Sequence, residues 1–452
     1  MTLLQHYAAE FARLRASRRD AEPTHFVRLR EHALDRFLSL GFPTLRDEEW
    51  RFTSVAPIAA RPFVADPAPL AGPRAVDLAP HRLSAAFGVE LVFVNGRYAP
   101  GLSRTAALPA GTRVGSLMES VAADEGDVEP YLGRVAAVDQ HAFVALNTAF
   151  AVDGAHIQVP AHAVVERPIH VLFVSTGSAS ARPGGAAADD RPVVSHPRVL
   201  IVLGAGSQAS VVESYAGPDG VEYFTNAVTE VVAGENAVLD HYKLQHEGTK
   251  AYHVGAIHAS AGRYSNVASH SISFGGALVR NDVVAVLGGE GGECTLNGLY
   301  LGDGQRLVDN HTTIDHAKPH CASREIYKGI LSDRARGVFN GKIIVRPDAQ
   351  KTDAKQTNRA LLLSENAQIN TKPQLGIFAN DVKCTHGAAV GQLDAEAVFY
   401  LRSRGLGQAE ARRLLIHAFA ADVLTRMPLE PVRVDVERLL QRHLAQALAA
   451  AA

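Results

Sequence analysis

The feature that most constrains this chain is a spacing of glycines. Gly206, Gly234 and Gly262 lie 28 residues apart, and Gly291 follows after 29. Three residues beyond each comes a small side chain, at Ala209, Ala237, Ser265 and Cys294. Each small residue opens a strand-like segment: ASVVESYA, AVLDHYKL, SNVASHSI and CTLNGLYL. A similar unit, GVFNGKIIV, recurs at 337–345. A fixed period of this size signals stacked repeats. The repeats are strand-like, which argues against helical solenoids, and a propeller blade needs a period of roughly 40 or more residues. The pattern therefore predicts a β-solenoid, in which each strand pairs with its equivalent above and below. The open ends of such a stack must be covered.

The flanks read differently. Leu4, Tyr7, Ala8, Phe11 and Leu14 recur at helical spacing. A second helix begins near Pro23, carries Phe26, Leu29, Ala33, Phe37 and Leu40, and stops at Gly41 and Pro43. From about Leu91 short β-branched segments take over, among them LVFVNGRY, IHVLFV and VLIVLG, and strand character runs to about Val390. Residues 176–197, rich in Gly, Ala, Ser and Pro, read as a flexible loop. Beyond the β region the tail is helical again. Asp394 caps AEAVFYLRSR, with Gly405 as its stop. A helix over about 408–427 carries Ala411, Leu414, Leu415, Ala418 and Phe419 on one face and ends at Pro428 and Pro431. The last helix carries Val436, Leu440, Leu444 and Leu448. The expected organisation is a helical region over 1–90, a β core over 91–392 and a helical region over 393–452. A β-stack offers little surface for three more helices, so one apolar face of the tail is expected to meet a partner.

Composition excludes several function classes. At 452 residues with a formal net charge of −2, the chain has no basic footprint for nucleic acid. No apolar run spans a membrane, and the N-terminus lacks a secretory h-region. Three scattered cysteines, Cys294, Cys321 and Cys384, fit a reducing compartment, so the expected location is cytoplasmic.

Four stretches invite chemistry. In DVKCTHGAAVG (381–391), Cys384 and His386 are two apart and would share one face of a strand. Thiolate with imidazole suits zinc, copper or iron–sulfur species, but two ligands do not close a site. Spacing alone favours a buried cysteine beside a solvent-facing histidine. HTTIDHAKPHC (311–321) offers His311, His316, His320 and Cys321 in what reads as a loop, where a hydrogen-bonded turn outweighs a metal site. VLGAGSQASV (202–211) mimics a dinucleotide fingerprint but lacks the following helix. GGEGGECTLNG (288–298) is glycine-rich without a GK[ST] ending, so no ATP site is read on this chain, and Cys294 falls at an inward packing position.

Longer stretches carry a resemblance. NHTTIDHAKPHCASREIYKGIL (310–331), GVFNGKIIVRPDAQKTDAKQTNRALLLSENAQINTKPQLGIFANDVKCTHGAAVG (337–391) and FYLRSRGLGQAEARRLLIHAFAADVL (399–424) are similar to the SufB/SufD family of iron–sulfur cluster assembly scaffolds. FPTLRDEEWRFT (42–53) and LVFVNGRYAPGLS (91–103) look like its SufD branch. The resemblance implies a right-handed parallel β-helix core between helical N- and C-terminal regions, and a non-catalytic scaffold subunit. It implies a SufB-like paralogue joined through the β-helix ends and a SufC-like ABC ATPase docked on the C-terminal helices; a homodimer of the chain alone is a candidate that the sequence leaves open. A transient iron–sulfur cluster would form near the paralogue interface, with Cys384 and His386 as candidate ligands. Phe399, Tyr400, Arg404, Leu414, Leu415 and Phe419 would form the ATPase-docking face. A flavin enters as a candidate ligand of the assembled complex, which this sequence does not resolve. The competing readings are a carbohydrate-active β-helix enzyme and a purely structural partner.

Overall fold

The computed structural model describes residues 3–18, 22–65, 77–84, 86–123, 126–176 and 191–450. Helices α1 (Leu3–Ser17), α2 (Thr24–Leu40) and α3 (Ala56–Ala59) precede the first strands. The opening strands are β1 (Val89–Val94), β2 (Arg97–Tyr98) and β3 (Arg113–Ser116), followed by α4 (Leu117–Ala123) and α5 (Ala142–Phe150). Next come β4 (Gly154–Val159), β5 (Ile169–Val174), β6 (Val194–Ser195) and β7 (Arg198–Leu203). The regular repeat then runs through β8 (Gln208–Ala216), β9 (Phe224–Ala233), β10 (Val238–His246), β11 (Tyr252–Ala261), β12 (Asn266–Ser273) and β13 (Leu278–Leu287). It continues through β14 (Glu293–Gly302), β15 (Leu307–His316), β16 (Ala322–Leu331), β17 (Arg336–Val345), β18 (Asp353–Leu362), β19 (Gln368–Ile377) and β20 (Lys383–Gly391). Helices α6 (Ala395–Ser403), α7 (Gln408–Leu424) and α8 (Glu430–Ala450) close the chain.

Strands alternate between two ten-stranded sheets, and apart from the end strands their neighbours are parallel. One sheet has the order β2-β1-β5-β8-β10-β12-β14-β16-β18-β20, the other β19-β17-β15-β13-β11-β9-β7-β4-β3, with β6 beside β9 as its tenth strand. This is a β-solenoid of about seven turns. Its lumen is filled by inward side chains such as Val211, Leu239, Val267, Leu296, Ile314 and Phe339.

Register corrects the glycine period. Gln208 stacks on Val238, and the column continues through Asn266, Glu293, Ala322, Asp353 and Lys383. The position two residues before each of the first six has positive φ: Gly206, Asn236, Tyr264, Gly291, His320 and Lys351. Each such residue donates its N–H to the next coil, as Gly206 does to Glu235 O and Tyr264 to Glu290 O. The left-handed corner is thus glycine in only two of these six coils. At the other four a non-glycine residue accepts roughly 1–2 kcal/mol of strain, offset by that inter-coil bond. Gly234 and Gly262 stand two residues before the corner, where a Cβ would come within 3.0 and 2.8 Å of the preceding coil's backbone. The sequence spacing therefore merges two different turn sites.

The solenoid is clad on both broad faces. Tyr7, Phe11, Phe37, Trp50, Phe143 and Phe150 pack over the sheet that holds Phe224, Val228 and Val254. Helices α4 and α5 fall inside the stretch read as strands; α5, apolar but for Asn147 and Thr148, is buried in this layer. On the opposite sheet, Ile416, Ala420, Val423, Val436 and Leu440 of α7 and α8 pack on Tyr242, Leu244, Leu299 and Ile326. The stack thus does offer the tail a surface, contrary to the expectation from its extended shape. Pro431 lies in the first turn of α8 rather than ending α7. Of the stretch read as a loop over 176–197, residues 177–190 lie outside the described residues. Val194 and Ser195 are instead ordered, with β6 pairing with β9.

The two ends of the stack differ. Antiparallel β2 and β3 close the first end. At the other, β20 and β19 are the last strands of their sheets.

Candidate functional site

Cys384 and His386 lie on β20, the last rung. Register sets Cys384 on Ala354 and His386 on Gln356. Both therefore occupy inward rows of the solenoid, as their two-residue spacing predicts. The Cys384 row runs back through Ala354, Ser323 and Cys294. Cys294 is buried and its thiol is pushed up to about 12, chiefly by burial. Cys384 has a coil on one side only and is half-buried, beside the cluster formed by Ile343, Val345, Ala349, Ala354 and Ala379. Burial also raises its thiol, partly countered by a backbone bond from Ala354. His386 is exposed. The two residues thus continue core rows, but β20 is the last strand of its sheet and no further coil covers them.

Beside exposed Asp381 and Lys383, the last coil also exposes hydrophobic side chains. Phe378 is 66% exposed, and Val390 and Ile377 are also exposed. Two edge strands and exposed hydrophobic side chains together make a surface suited to a further protein chain. Among the described residues, no group of three or more His, Cys, Asp and Glu side chains is placed to hold a metal ion. A metal at Cys384 and His386 would need ligands from elsewhere.

The residues of 311–321 are held by other contacts. His311 to His316 belong to β15 rather than to a loop. His311 meets Glu49 at 3.3 Å and Asp309 at 3.1 Å; His316 meets Ser323 at 2.9 Å. His320 is a left-handed corner, and Cys321 donates to Gly289 O. The His311 pair belongs to a network that sequence reasoning missed. Arg280 binds Asp282 and Asp309, donates to Glu49 O and lies 4.3 Å over the Trp50 ring. It fastens the 47–53 segment to the solenoid beside a cavity of about 400 Å³ lined by Trp50, His141, His258 and Lys342. Only the RDEEW motif hinted at it.

The expected docking residues divide. Asp394 caps α6, accepting from Glu396 N and Ala397 N, and α6 buries none of its side chains. Phe399 is 72% exposed and Tyr400 57%. Arg404 lies over the Tyr400 ring and bonds its hydroxyl at 3.2 Å. Leu414 is exposed as well. Leu415 and Phe419 are half-buried. Phe419 packs against the α7–sheet core, its ring 4.5 Å from the Lys328 ammonium. The α7 face that buries is Ala411, Ile416, Ala420 and Val423, rotated from the one read in sequence. Lys328 pins this helix to β16, reaching Asp422 and Phe419 O at 2.9 Å each.

Residues 186–419 match the family model described as SUF system FeS cluster assembly, SufBD core domain, and residues 1–171 match the SufBD protein N-terminal region. An iron–sulfur cluster assembly SufBD family protein of Synechocystis is 36% identical, over 90% of this chain and 89% of that protein. The iron–sulfur cluster assembly protein SufD of Escherichia coli is 32% identical, over 92% and 93%. The chloroplastic protein ABCI7 of Arabidopsis thaliana is 30% identical, over 90% and 83%.

Proposed function

The chain belongs to the SufBD family of SUF-system iron–sulfur cluster assembly proteins, and on that premise we propose that it is a SufD-type, non-catalytic scaffold subunit. Its partners are a SufB-like paralogue and a SufC-like ABC ATPase. The observation that carries this reading is the open rung: Cys384 and His386 sit in inward rows at the one end of the solenoid that no antiparallel strand closes.

The paralogue covers β19, β20 and Phe378, and a second copy of this chain takes that place when the paralogue is missing. Cys384 and His386 then contribute two ligands to a transient iron–sulfur cluster, the cargo of the complex, and the facing chain contributes the rest. A soft thiolate with imidazole suits such a cluster. Energy comes from the ATPase, because this sequence carries no GxxxxGK[ST] loop. Phe399, Tyr400, Arg404 and Leu414 form its docking face on α6 and the exposed side of α7. Closure of the ATPase pulls on α6, and the Lys328–Asp422 pair passes that motion from α7 to β16. The last rungs shift and the interface opens to iron and sulfide. Family membership favours this reading over a carbohydrate-active enzyme.

The test is cluster loading by the purified complex carrying Cys384→Ala or His386→Ala. Loss of loading with subunit stoichiometry unchanged supports the ligand role. Wild-type loading in both variants would leave the chain a purely structural partner.

A further inference from the structure

The lumen of the solenoid changes character along its length. In the coils built from β8 to β13 the inward polar groups are largely matched. Glu213 accepts from Tyr215 at 2.7 Å and Thr229 at 2.8 Å and meets His241 at 3.0 Å, while His241 reaches Ser269 at 3.0 Å. Lys243 donates to Asn281 at 2.7 Å. His253 Nε2 is the exception in this part. Nearer the open end the matching fails. Glu325 Oε1, Gln356 Oε1, Asn358 Oδ1 and His316 Nδ1 are all buried without a hydrogen-bond partner.

These atoms lead to the open rung. Glu325, Gln356 and His386 stack in register on β16, β18 and β20. Strand spacing of about 4.8 Å sets Glu325 roughly 10 Å from the His386 rung. Gln356 Nε2 donates to Glu325 Oε2 at 2.7 Å, leaving one oxygen of each side chain unsatisfied. Across the lumen, Gly341 keeps room for this row, since a Cβ there would lie 2.3 Å from Gln356 Nε2. Buried polar atoms that lack protein partners in a polar space ordinarily bind ordered water.

We propose that a file of water molecules enters the solenoid at the open end beside His386 and reaches Glu325, a proton acceptor buried inside the fold.

Burial pushes the Glu325 carboxyl up to about 7, against the bond from Gln356. The titratable groups facing it are Cys294 on β14 and Tyr327 on its own strand. Both are held protonated by burial and by Glu325 itself. Near neutral pH the carboxyl therefore takes up and gives back a proton. On the scaffold reading of this end, a thiol that binds iron loses its proton. Its S–H bond breaks, the waters carry the proton inward, the Glu325 carboxylate becomes a carboxylic acid, and no electron moves. That use rests on the scaffold reading; the water file and the proton acceptor do not.

The experiment is infrared spectroscopy of the isolated full-length chain, in H₂O and after mixing into D₂O, with Glu325→Gln and Gln356→Leu. A protonated-carboxyl band is expected to fade as the pH rises through about 7, to be absent from Glu325→Gln, and to show its deuterium shift within the mixing time. Gln356→Leu slows that shift. Three results would each overturn the proposal: no band that disappears in Glu325→Gln, a shift as slow as the exchange of the β16 core amides, or unchanged exchange in Gln356→Leu. None of these readings involves iron or a partner, so they stand apart from the test of the scaffold role.

Discussion

Glu230 is the joint on which the N-terminal layer hangs, and replacing it with glutamine should be among the costliest single changes in the chain. Its carboxylate is fully buried on the outer side of β9 and accepts from Gly133 N at 2.8 Å, Ala136 N at 2.9 Å and Val135 N at 3.1 Å. It also pairs with buried Arg198, which donates to Asn147 and Thr148. Glu230→Gln leaves the guanidinium buried without its carboxylate, a change that costs about 3–5 kcal/mol. Replacing both partners with apolar residues, as in Arg198→Met/Glu230→Leu, removes the stranded charge and is often neutral for a simple ion pair. Here it leaves three backbone N–H groups without an acceptor, at about 1–3 kcal/mol each. The double variant should therefore also lose at least about 3 kcal/mol. Urea unfolding followed by circular dichroism gives the total, and hydrogen exchange at residues 133, 135 and 136 locates it. A loss below about 1 kcal/mol in Glu230→Gln, or a double variant as stable as wild type, would refute the reasoning.

Three further outcomes follow from the geometry. Cys384 should be the first cysteine alkylated in the native chain, with Cys294 and Cys321 reacting only on unfolding, because they are buried; its rate should climb at higher pH than for a free thiol, since burial raises it. Peptide mass mapping after a short alkylation pulse checks both points. The tether of Glu49 to His311 and Lys342 holds that carboxyl down to about 2. Its folded pKa is below its unfolded one, so its contribution is present at neutral pH and is lost as pH falls from about 4.5 to about 2. Glu49→Gln should flatten stability across that window, measured by denaturant midpoints at several pH values. Phe399→Ala and Tyr400→Ala on α6 should change stability by less than about 0.5 kcal/mol, because neither side chain is buried, while ATPase capture measured by pull-down is lost.

What could be read from sequence divides by the range of the interaction. The solenoid was visible because its corners recur locally, yet only two of the six left-handed corners are glycine, so the count of the period mixed Gly206 with Gly234. The shared face of Cys384 and His386 followed from strand alternation alone. That Cys384 is half-open while Cys294, in the same row, is sealed depends on how many coils stack beyond each, which local pattern does not carry. The buried face of α7 was misplaced because Leu414, Leu415 and Phe419 are as apolar as Ile416 and Val423, and only the sheet beneath decides between them. Glu325, Glu230 and Lys328 gave no signal, since their partners lie 31, 97 and 91 residues away.

The central claim is that this chain works as a scaffold between a paralogue and an ATPase. Co-purification of the tagged full-length chain with its native partners tests it most directly. Deleting residues 394–452 would uncover the sheet face beneath α7 and α8, so the matched control is Phe399→Ala/Tyr400→Ala/Arg404→Ala. Recovery of a second β-solenoid protein and an ABC-type ATPase, with the ATPase alone lost in the triple variant, is the predicted result. A chain that purifies without either protein, or an ATPase retained by the triple variant, would contradict the account.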